Sequence, residues 1–379
     1  MQSETKRPQV IHIRLAKRLV SHALALLAMP LRLFNSLRPV PAERSKSVVM
    51  IEPFGLGDAI SHEPLARALR ESGWNVTLCA RPEWRVLFPG LAWVNSEAPW
   101  GRHARAQKYV IREYFGPALR AFLQALRGAG RGAVGLDTRG DIRSVLLLHL
   151  AGCRRVITIS SYAGSNLRIL PGAAERVKFS PDLRRWEMNL RCAEPLGLNV
   201  SRVAPPSFPH LRNSAAPSRR VGLVPIAPWE GKWWQCEKWS QLVAQLKVRG
   251  VEAVGLCGPG QGDLARRELG GDTQVIECST VEDWAQRLQE FAAVVTLDSG
   301  PMHLADALGV PVMALFGQGS LPLWAPSGPA SAVITHQGDP DFRLAMPTEE
   351  NTESGREFMR RISVEEVLAA LDGAVQRQV

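Results

Sequence analysis

Residues 292–317 read AAVVTLDSGPMHLADALGVPVMALFG. Ala292–Leu297 is a short apolar run rich in β-branched residues, the pattern of a buried parallel strand. The run stops at Asp298-Ser299-Gly300. Pro301 then opens a helical segment, where its fixed φ and missing N–H do no harm. The helix is expected to reach Leu308, with Gly309 closing it and Pro311–Phe316 forming the next buried strand. This order places small polar residues at the carboxyl end of a strand, where ligands bind in open α/β sheets. A helix starting there aims unpaired N–H groups and a positive dipole end at the ligand, which suits phosphate. Ser299 adds a hydroxyl donor, and His303, in the first helical turn, can point back to the same spot. Taken singly, the same residues have plainer uses, Asp298 or Ser299 as an N-cap and His303 as a satisfied core histidine.

The full string is more specific than its parts. D-S-G-P-M-H-L-A-x-A-L-G-V-P-V-x-A-L-F-G closely resembles the signature of glycosyltransferase family 9, the lipopolysaccharide heptosyltransferases and their relatives. A second stretch near the start points the same way. Ser47–Glu52 (SVVMIE) reads as a first strand, followed by Pro53-Phe54-Gly55-Leu56-Gly57-Asp58 and a helix over Ala59–Glu71. Glycines 55 and 57 permit a tight turn and close backbone approach. Asp58 stands where a helix begins and can be its N-cap. Gly57-Asp58…Pro64-Leu65 also resembles the start of family 9 enzymes, in which the matching aspartate is the proposed general base. The stretch is not a G-x-G-x-x-G fingerprint, so a dinucleotide-dependent oxidoreductase is disfavoured.

Around these motifs the chain alternates strand and helix, hence parallel sheets. Strands are expected at Asn75–Cys79, Ala92–Asn95, Ala133–Asp137 and Val156–Ser160, and a helix over Asp182–Leu198. Val203–Arg219 is proline-rich and aperiodic and reads as a connection. The alternation restarts with strands at Val221–Ile226, Ala253–Cys257 and Gln274–Glu277, and helices at Cys236–Arg249, Gly262–Leu269 and Val281–Glu290. Residues 335–357 are polar and irregular. Ile362–Val375, with Ser363 as N-cap, is an amphipathic closing helix. Four segments result: a basic arm (1–46), an N-terminal acceptor-binding domain (47–203), a linker (204–219) and a C-terminal nucleotide-sugar-binding domain (220–379). The resemblance implies an α/β chain of GT-B fold, two Rossmann-like domains with a central cleft, here with an added N-terminal amphipathic helix.

The resemblance also implies roles for residues just past strand ends. Lys232, in APWEGKWW after Val221–Ile226, would act as a point charge on the donor diphosphate. Ser299, the backbone at Gly300, Pro301 and Met302, and His303 would share that load, with Asp298 ordering the turn or binding a sugar hydroxyl. Gly258, in Gly258-Pro259-Gly260, could let the backbone approach the nucleotide. Gly57, Arg139 and Arg143 would serve the acceptor, the arginines by bidentate contact with phosphate or carboxylate, unless they are simply solvated surface charges. Arg81 and Arg85 are weaker candidates of the same kind. Lys232-Trp233 and Trp239 fit the family pattern, but Trp234 replaces its usual proline. Four tryptophans in residues 229–239 suit packing more than base stacking. The only D-x-D string, Asp339-Pro340-Asp341, lies in an irregular region and reads as a loop, so no metal site is expected.

Composition narrows the field further. Six scattered cysteines without a C-x-x-C pair argue against zinc or a disulfide framework and fit a reducing cytoplasm. Residues 1–48 hold nine basic and two acidic residues, +7 of the chain's formal +10. The basic character belongs to the arm, which argues against nucleic acid. Within 10–37 the longest charge-free run, Leu19–Leu31, is too short to span a bilayer of about 30 Å. Ile11, Leu15, Leu19 and Leu26 can share one side, opposite Arg14, Lys17 and Arg18, and Pro30 should end or kink the helix near Met29. This profile fits an in-plane helix on an anionic membrane face, or a helix packed on the body or a disordered tail.

The expected activity is inverting transfer of heptose from ADP-heptose onto a lipopolysaccharide core acceptor, without cofactor or metal, at the cytoplasmic face of the inner membrane. Another nucleotide sugar, for O-antigen or capsule, and a catalytically silent partner protein are the alternatives.

Overall fold

The computed structural model describes residues 7–96, 117–160, 172–213, 218–344 and 351–376. The chain divides into two compact units, one of Met1–Phe54, His62–Ser180 and Trp186–Ala204, the other of Gly55–Ser61, Pro181–Arg185 and Pro205–Val379. Each is built on a six-stranded, all-parallel sheet.

In the first half the strands are β1 (Ser47–Glu52), β2 (Asn75–Ala80), β3 (Ala92–Asn95), β4 (Val134–Asp137), β5 (Arg155–Ser160) and β6 (Glu175–Lys178). The helices there are α1 (Arg7–Ser36), α2 (Leu56–Ile60), α3 (Glu63–Glu71), α4 (Pro117–Gly130), α5 (Ile142–Leu150) and α6 (Arg185–Leu190). The second half carries β7 (Ser218–Val224), β8 (Glu252–Cys257), β9 (Val275–Glu277), β10 (Phe291–Leu297), β11 (Val312–Phe316) and β12 (Ala332–Thr335). Its helices are α7 (Cys236–Val248), α8 (Gly262–Leu269), α9 (Val281–Leu288), α10 (Gly300–Leu308), α11 (Leu321–Trp324), α12 (Thr352–Arg361) and α13 (Val364–Gln376).

The strand orders are β3-β2-β1-β4-β5-β6 and β12-β11-β10-β7-β8-β9. Both are the doubly wound order in which the first strand of the set lies beside the fourth. Every residue of β1, β4 and β11 is buried, as expected where helices cover both faces. Direction reverses between β1 and β4 in one sheet and between β7 and β10 in the other, and such a switch point opens a crevice at the carboxyl ends of the strands. The chain places the Lys232 loop after β7 and Asp298-Ser299-Gly300 after β10, at the second of these points.

Several sequence expectations are corrected. The helix expected over Ala59–Glu71 is two helices, broken at Ser61-His62. Pro64 would clash with the carbonyl four residues back, so the chain restarts the helix and puts Pro64 in the first turn of α3. The helix expected over Asp182–Leu198 is α6 followed by a 3-10 stretch, Arg191–Leu196, that contains Pro195 and ends at Gly197 with φ 82°. The edge strands β6 and β12 went unseen: each has four residues and buries one of them. Within the segment expected to be irregular, Thr352–Arg361 is helical. The closing helix does begin at Ser363, whose Oγ accepts the Glu366 N–H at 3.2 Å while Glu366 accepts the Ser363 N–H at 2.7 Å.

Helix α1 packs on the first unit, against α5 and β5. Its inner face is Ser21, Ala25, Ala28 and Asn35, all buried. Asn35 Nδ2 donates to the His149 carbonyl at 2.8 Å, and Arg32 Nη1 to the Gly172 carbonyl at 2.8 Å. Pro30 does not end the helix, which continues to Ser36. The hydrogen bond that proline removes would have been to the Leu26 carbonyl; Pro30 and Leu26 are both exposed, so water can satisfy that group. The side chains of Ile11, Arg14, Leu15, Lys17 and Arg18 lie outside the described residues. No helix among the described residues is long and apolar enough to cross a membrane.

Candidate active site

The apolar strand β10 delivers Asp298 and Ser299 to its carboxyl end, and α10 starts at once with Ser299 as N-cap and Pro301 in the first turn. Ser299 is 8% exposed, its side chain makes no capping bond, and its Oγ has no hydrogen-bond partner among the described residues. A buried hydroxyl without a partner costs free energy that a ligand can return. Around it the first-turn amides of α10 point outward from the helix start, as in any α-helix, with the positive dipole end behind them. Pro301 has no N–H, so its contribution is to fix the turn, and Gly300 and Met302 carry the donors.

The strand beside β10, β7, leads through Ala227-Pro228-Trp229 into a 3-10 turn, Glu230–Lys232. Lys232 Nζ reaches across to Asp298, 2.5 Å from Oδ2 and 3.1 Å from the backbone carbonyl. Both side chains are largely buried. Asp298 thus holds the lysine at the turn. Asp298 is itself seated on Gly319, where an added Cβ would come within 2.7 Å of Oδ2.

His303 lies one turn into α10, its ring 5.5 Å from that of Trp324. Burial pushes the imidazole below its ordinary pKa, against the opposing pull of the Asp298, Asp306 and Asp58 carboxylates. It is therefore neutral at neutral pH, with one N–H to donate and one nitrogen to accept. Helix α2, which belongs to the same unit, packs on α10 with glycine on both sides of the contact. A Cβ on Gly57 would lie 2.6 Å from His303 Cδ2, and one on Gly300 would lie 2.9 Å from Leu56 Cβ. Gly57 is thus required by the histidine ring, and the turn Gly55–Asp58 is brought to the start of α10. Asp58 Oδ2 accepts the Gly55 N–H at 3.4 Å, a long bond. Gly57→Ala should destabilise the protein by about 1–3 kcal/mol by overpacking against His303. Chemical denaturation and the His303 imidazole NMR signals would read it; unchanged values would mean that the two helices do not meet as described.

Other sequence candidates lie apart from this group. Gly258 follows β8, and its N–H donates to Gln261 Oε1 at 3.0 Å. The Glu277 carboxylate takes the next amides, Gly260 at 2.7 Å and Gly262 at 3.1 Å, so the start of α8 already holds an anion of the chain's own. Arg139 and Arg143 belong to the first unit. The Arg139 guanidinium stacks 3.9 Å from the centroid of the Phe54 ring, and Arg143 is bidentate to Asp141. Beneath them Asp137, pushed up to about 6 by burial, accepts from Thr158 Oγ1, Asp141 N and Arg139 N. Arg81 Nε donates to the Pro53 carbonyl at 3.0 Å. Asp339 and Asp341 both pair with Arg361.

One part of the site was not read from the sequence. Helix α12 grips the Lys232 loop: Trp229 Nε1 donates to Thr352 Oγ1 at 3.0 Å, Glu230 pairs with Arg356, and Gly355 lies so close to Gly231 that a Cβ there would be 2.5 Å from its carbonyl. The string TESGREFMRR has too few apolar residues to show a helical period, and its glycine was the one available signal. The tryptophans do pack. Trp234 and Trp239 are buried edge to face at 5.0 Å, and Trp234 Nε1 is tied to the Ile362 carbonyl.

Residues 202–350, which include Lys232 and the whole start of α10, match the family model described as glycosyltransferase family 9 (heptosyltransferase). This stretch is the part of the chain that is similar to glycosyltransferase family 9. It is similar to the curated lipopolysaccharide heptosyltransferase 3 of Escherichia coli strain K12, 26% identical over 209 residues, 49% of this chain and 58% of that protein. The chain thus spans a little over half the length of the curated relatives it matches. Among solved structures it is similar to a family 9 glycosyl transferase from Veillonella parvula (TM-score 0.67, 16% identity, 89% of this chain and 100% of that one). Escherichia coli heptosyltransferase WaaC with ADP gives a TM-score of 0.64 at 15% identity, covering 86% and 99% of the two chains. Escherichia coli ADP-heptose lps heptosyltransferase II gives 0.63 at 18%, covering 88% and 99%. At such identities the likeness is one of fold, and the pair of Rossmann-like sheets expected from the sequence is the fold they share.

Proposed function

We propose that the protein is an inverting glycosyltransferase that moves heptose from ADP-heptose to a lipopolysaccharide core acceptor. The observation that carries the reading is the convergence of Lys232, the unpartnered Ser299 hydroxyl and the start of α10 at one strand-order switch point. That is a diphosphate site by its chemistry: a point cation, a hydroxyl donor and a helix N-terminus. The ADP in the WaaC structure and the heptosyltransferase names of the relatives favour ADP and heptose over other nucleotides and sugars.

In this reading the acceptor hydroxyl attacks the anomeric carbon on the face away from the diphosphate, and Asp58 takes its proton. The bond from the anomeric carbon to the diphosphate oxygen breaks as the new one forms, which inverts the centre. The charge that gathers on the departing ADP is met by Lys232, Ser299 Oγ, the Gly300 and Met302 amides and the neutral His303 N–H, in place of a metal. Arg139 and Arg143 would take anionic groups of the acceptor, with Arg143 exchanging Asp141 for them, and Gly57 would leave room beside Asp58. The basic arm would hold the enzyme at an anionic membrane face, the cytoplasmic side of the inner membrane where such acceptors lie.

Ser299→Ala tests the diphosphate site. Because the hydroxyl has no partner among the described residues, its loss should leave stability unchanged or slightly raised, while ADP affinity falls by about tenfold, the worth of one hydrogen bond to a charged group. Calorimetric titration with ADP and chemical denaturation measure the two. Unchanged ADP affinity would remove Ser299 from the site.

A further inference from the structure

Six described side chains of α1 are large, apolar and exposed, among them Leu19 (62%), Leu26 (69%) and Leu33 (64%), and Leu37 (76%), just past its end, continues the set. With Ala23 and Pro30 these residues follow 4-3-4-3-4 spacing, one stripe along the face opposite the buried Ser21, Ala25 and Ala28. The helix is therefore fixed to the protein by small residues and presents its leucines outward. Beside the carboxyl end of the stripe is a cleft of about 750 Å³, lined by residues that precede β4 and β5, at the amino ends of those strands. Four arginines line it, Arg38, Arg44, Arg127 and Arg131, with Glu43 the single acidic residue. None of the four forms an ion pair among the described residues. Phe34 joins the two features: it is 56% exposed on α1, lines the cleft, and carries the Arg38 guanidinium 4.5 Å from its ring centroid.

Two of these arginines have a structural use. Arg44 donates to the Gly128 and Ala129 carbonyls, and Arg127 Nε donates to the Leu150 carbonyl, so they cap the ends of α4 and α5. Arg38 and Arg131 make no such side-chain bond among the described residues. An apolar stripe running into an unneutralised cationic cleft matches the two layers of a membrane surface, acyl chains beside phosphate.

We propose that this cleft is a binding site for the phosphate headgroup of an anionic phospholipid, entered when the leucine stripe of α1 lies in the adjoining acyl layer. The proposal deepens the membrane part of the reading above and rests on it; the transfer reaction does not enter. The test is co-sedimentation of the full-length protein with vesicles of phosphatidylcholine alone or mixed with phosphatidylglycerol. The wild type should partition to the mixed vesicles and lose that preference as salt rises. Arg38→Gln with Arg131→Gln should weaken partitioning by about 25-fold, about fivefold for each charge near the surface. Arg266→Gln with Arg267→Gln, on α8 of the other unit, should leave it unchanged, and Leu33→Asp should abolish it. ADP titration of each variant shows that the fold is retained. If both arginine pairs weaken binding equally, diffuse charge and not the cleft is responsible. If Leu33→Asp abolishes binding and the Arg38/Arg131 pair has no effect, the membrane reading stands and the headgroup site falls. If the wild type does not prefer the mixed vesicles, both fall, with ADP binding still open to separate measurement.

Discussion

Asp58→Ala should lower transfer from ADP-heptose by two to four orders of magnitude, the range that a positioned general base contributes, while ADP binds as before within about twofold. The position of the carboxylate makes this a sharp test. It sits in the first turn of α2, on a segment held against the start of α10 by the Gly57–His303 contact. Its bond to Gly55 N–H is long, and losing it should cost stability less than about 1 kcal/mol. Asp58→Asn separates chemistry from shape, because the amide can still accept that N–H but cannot take a proton. Turnover preserved in Asp58→Asn would leave Asp58 with a capping role alone.

Lys232→Ala should have two effects that a second substitution separates. Removing the ammonium leaves the Asp298 carboxylate largely buried without its cation, which should destabilise the second unit by about 2 kcal/mol. It also removes the point charge from the donor site, and ADP affinity should fall by about 30-fold or more. Lys232→Ala combined with Asp298→Asn should recover most of the stability and none of the affinity. Restored ADP binding in the double variant would mean that the lysine serves only to neutralise Asp298.

The stretch 292–317 was legible because several independent rules agree on it. A β-branched run, a polar break, a proline at a helix start and a glycine at its end each fix one boundary, and α10 ends at Gly309 with φ 84° as that glycine foretold. The Lys232 turn was legible in position but not in support. Its hold comes from Thr352, Gly355 and Arg356, more than 100 residues on in a mostly polar segment, and no local pattern ties such distant stretches together. Gly258 looked like Gly300 in sequence, a glycine just past a strand. What separates them is Glu277, which fills the start of α8, whereas at α10 Asp298 is turned to Lys232 and Ser299 is left open. The arm was read as an amphipathic helix, but which face meets the protein could not be told. Alanines and one serine pack inward because they let α1 approach α5 closely, and the larger leucines are left outside.

The central claim is a metal-free site for an adenine nucleotide diphosphate, and the most direct measurement is calorimetric titration of the protein with ADP, UDP and GDP in metal-free buffer. Selective binding of ADP, weakened in Ser299→Ala and Lys232→Ala and retained in Asp58→Ala, is the result the account predicts. Preference for UDP or GDP would move the donor to another sugar nucleotide, and binding of none of the three would contradict the assignment of α10 as a diphosphate site.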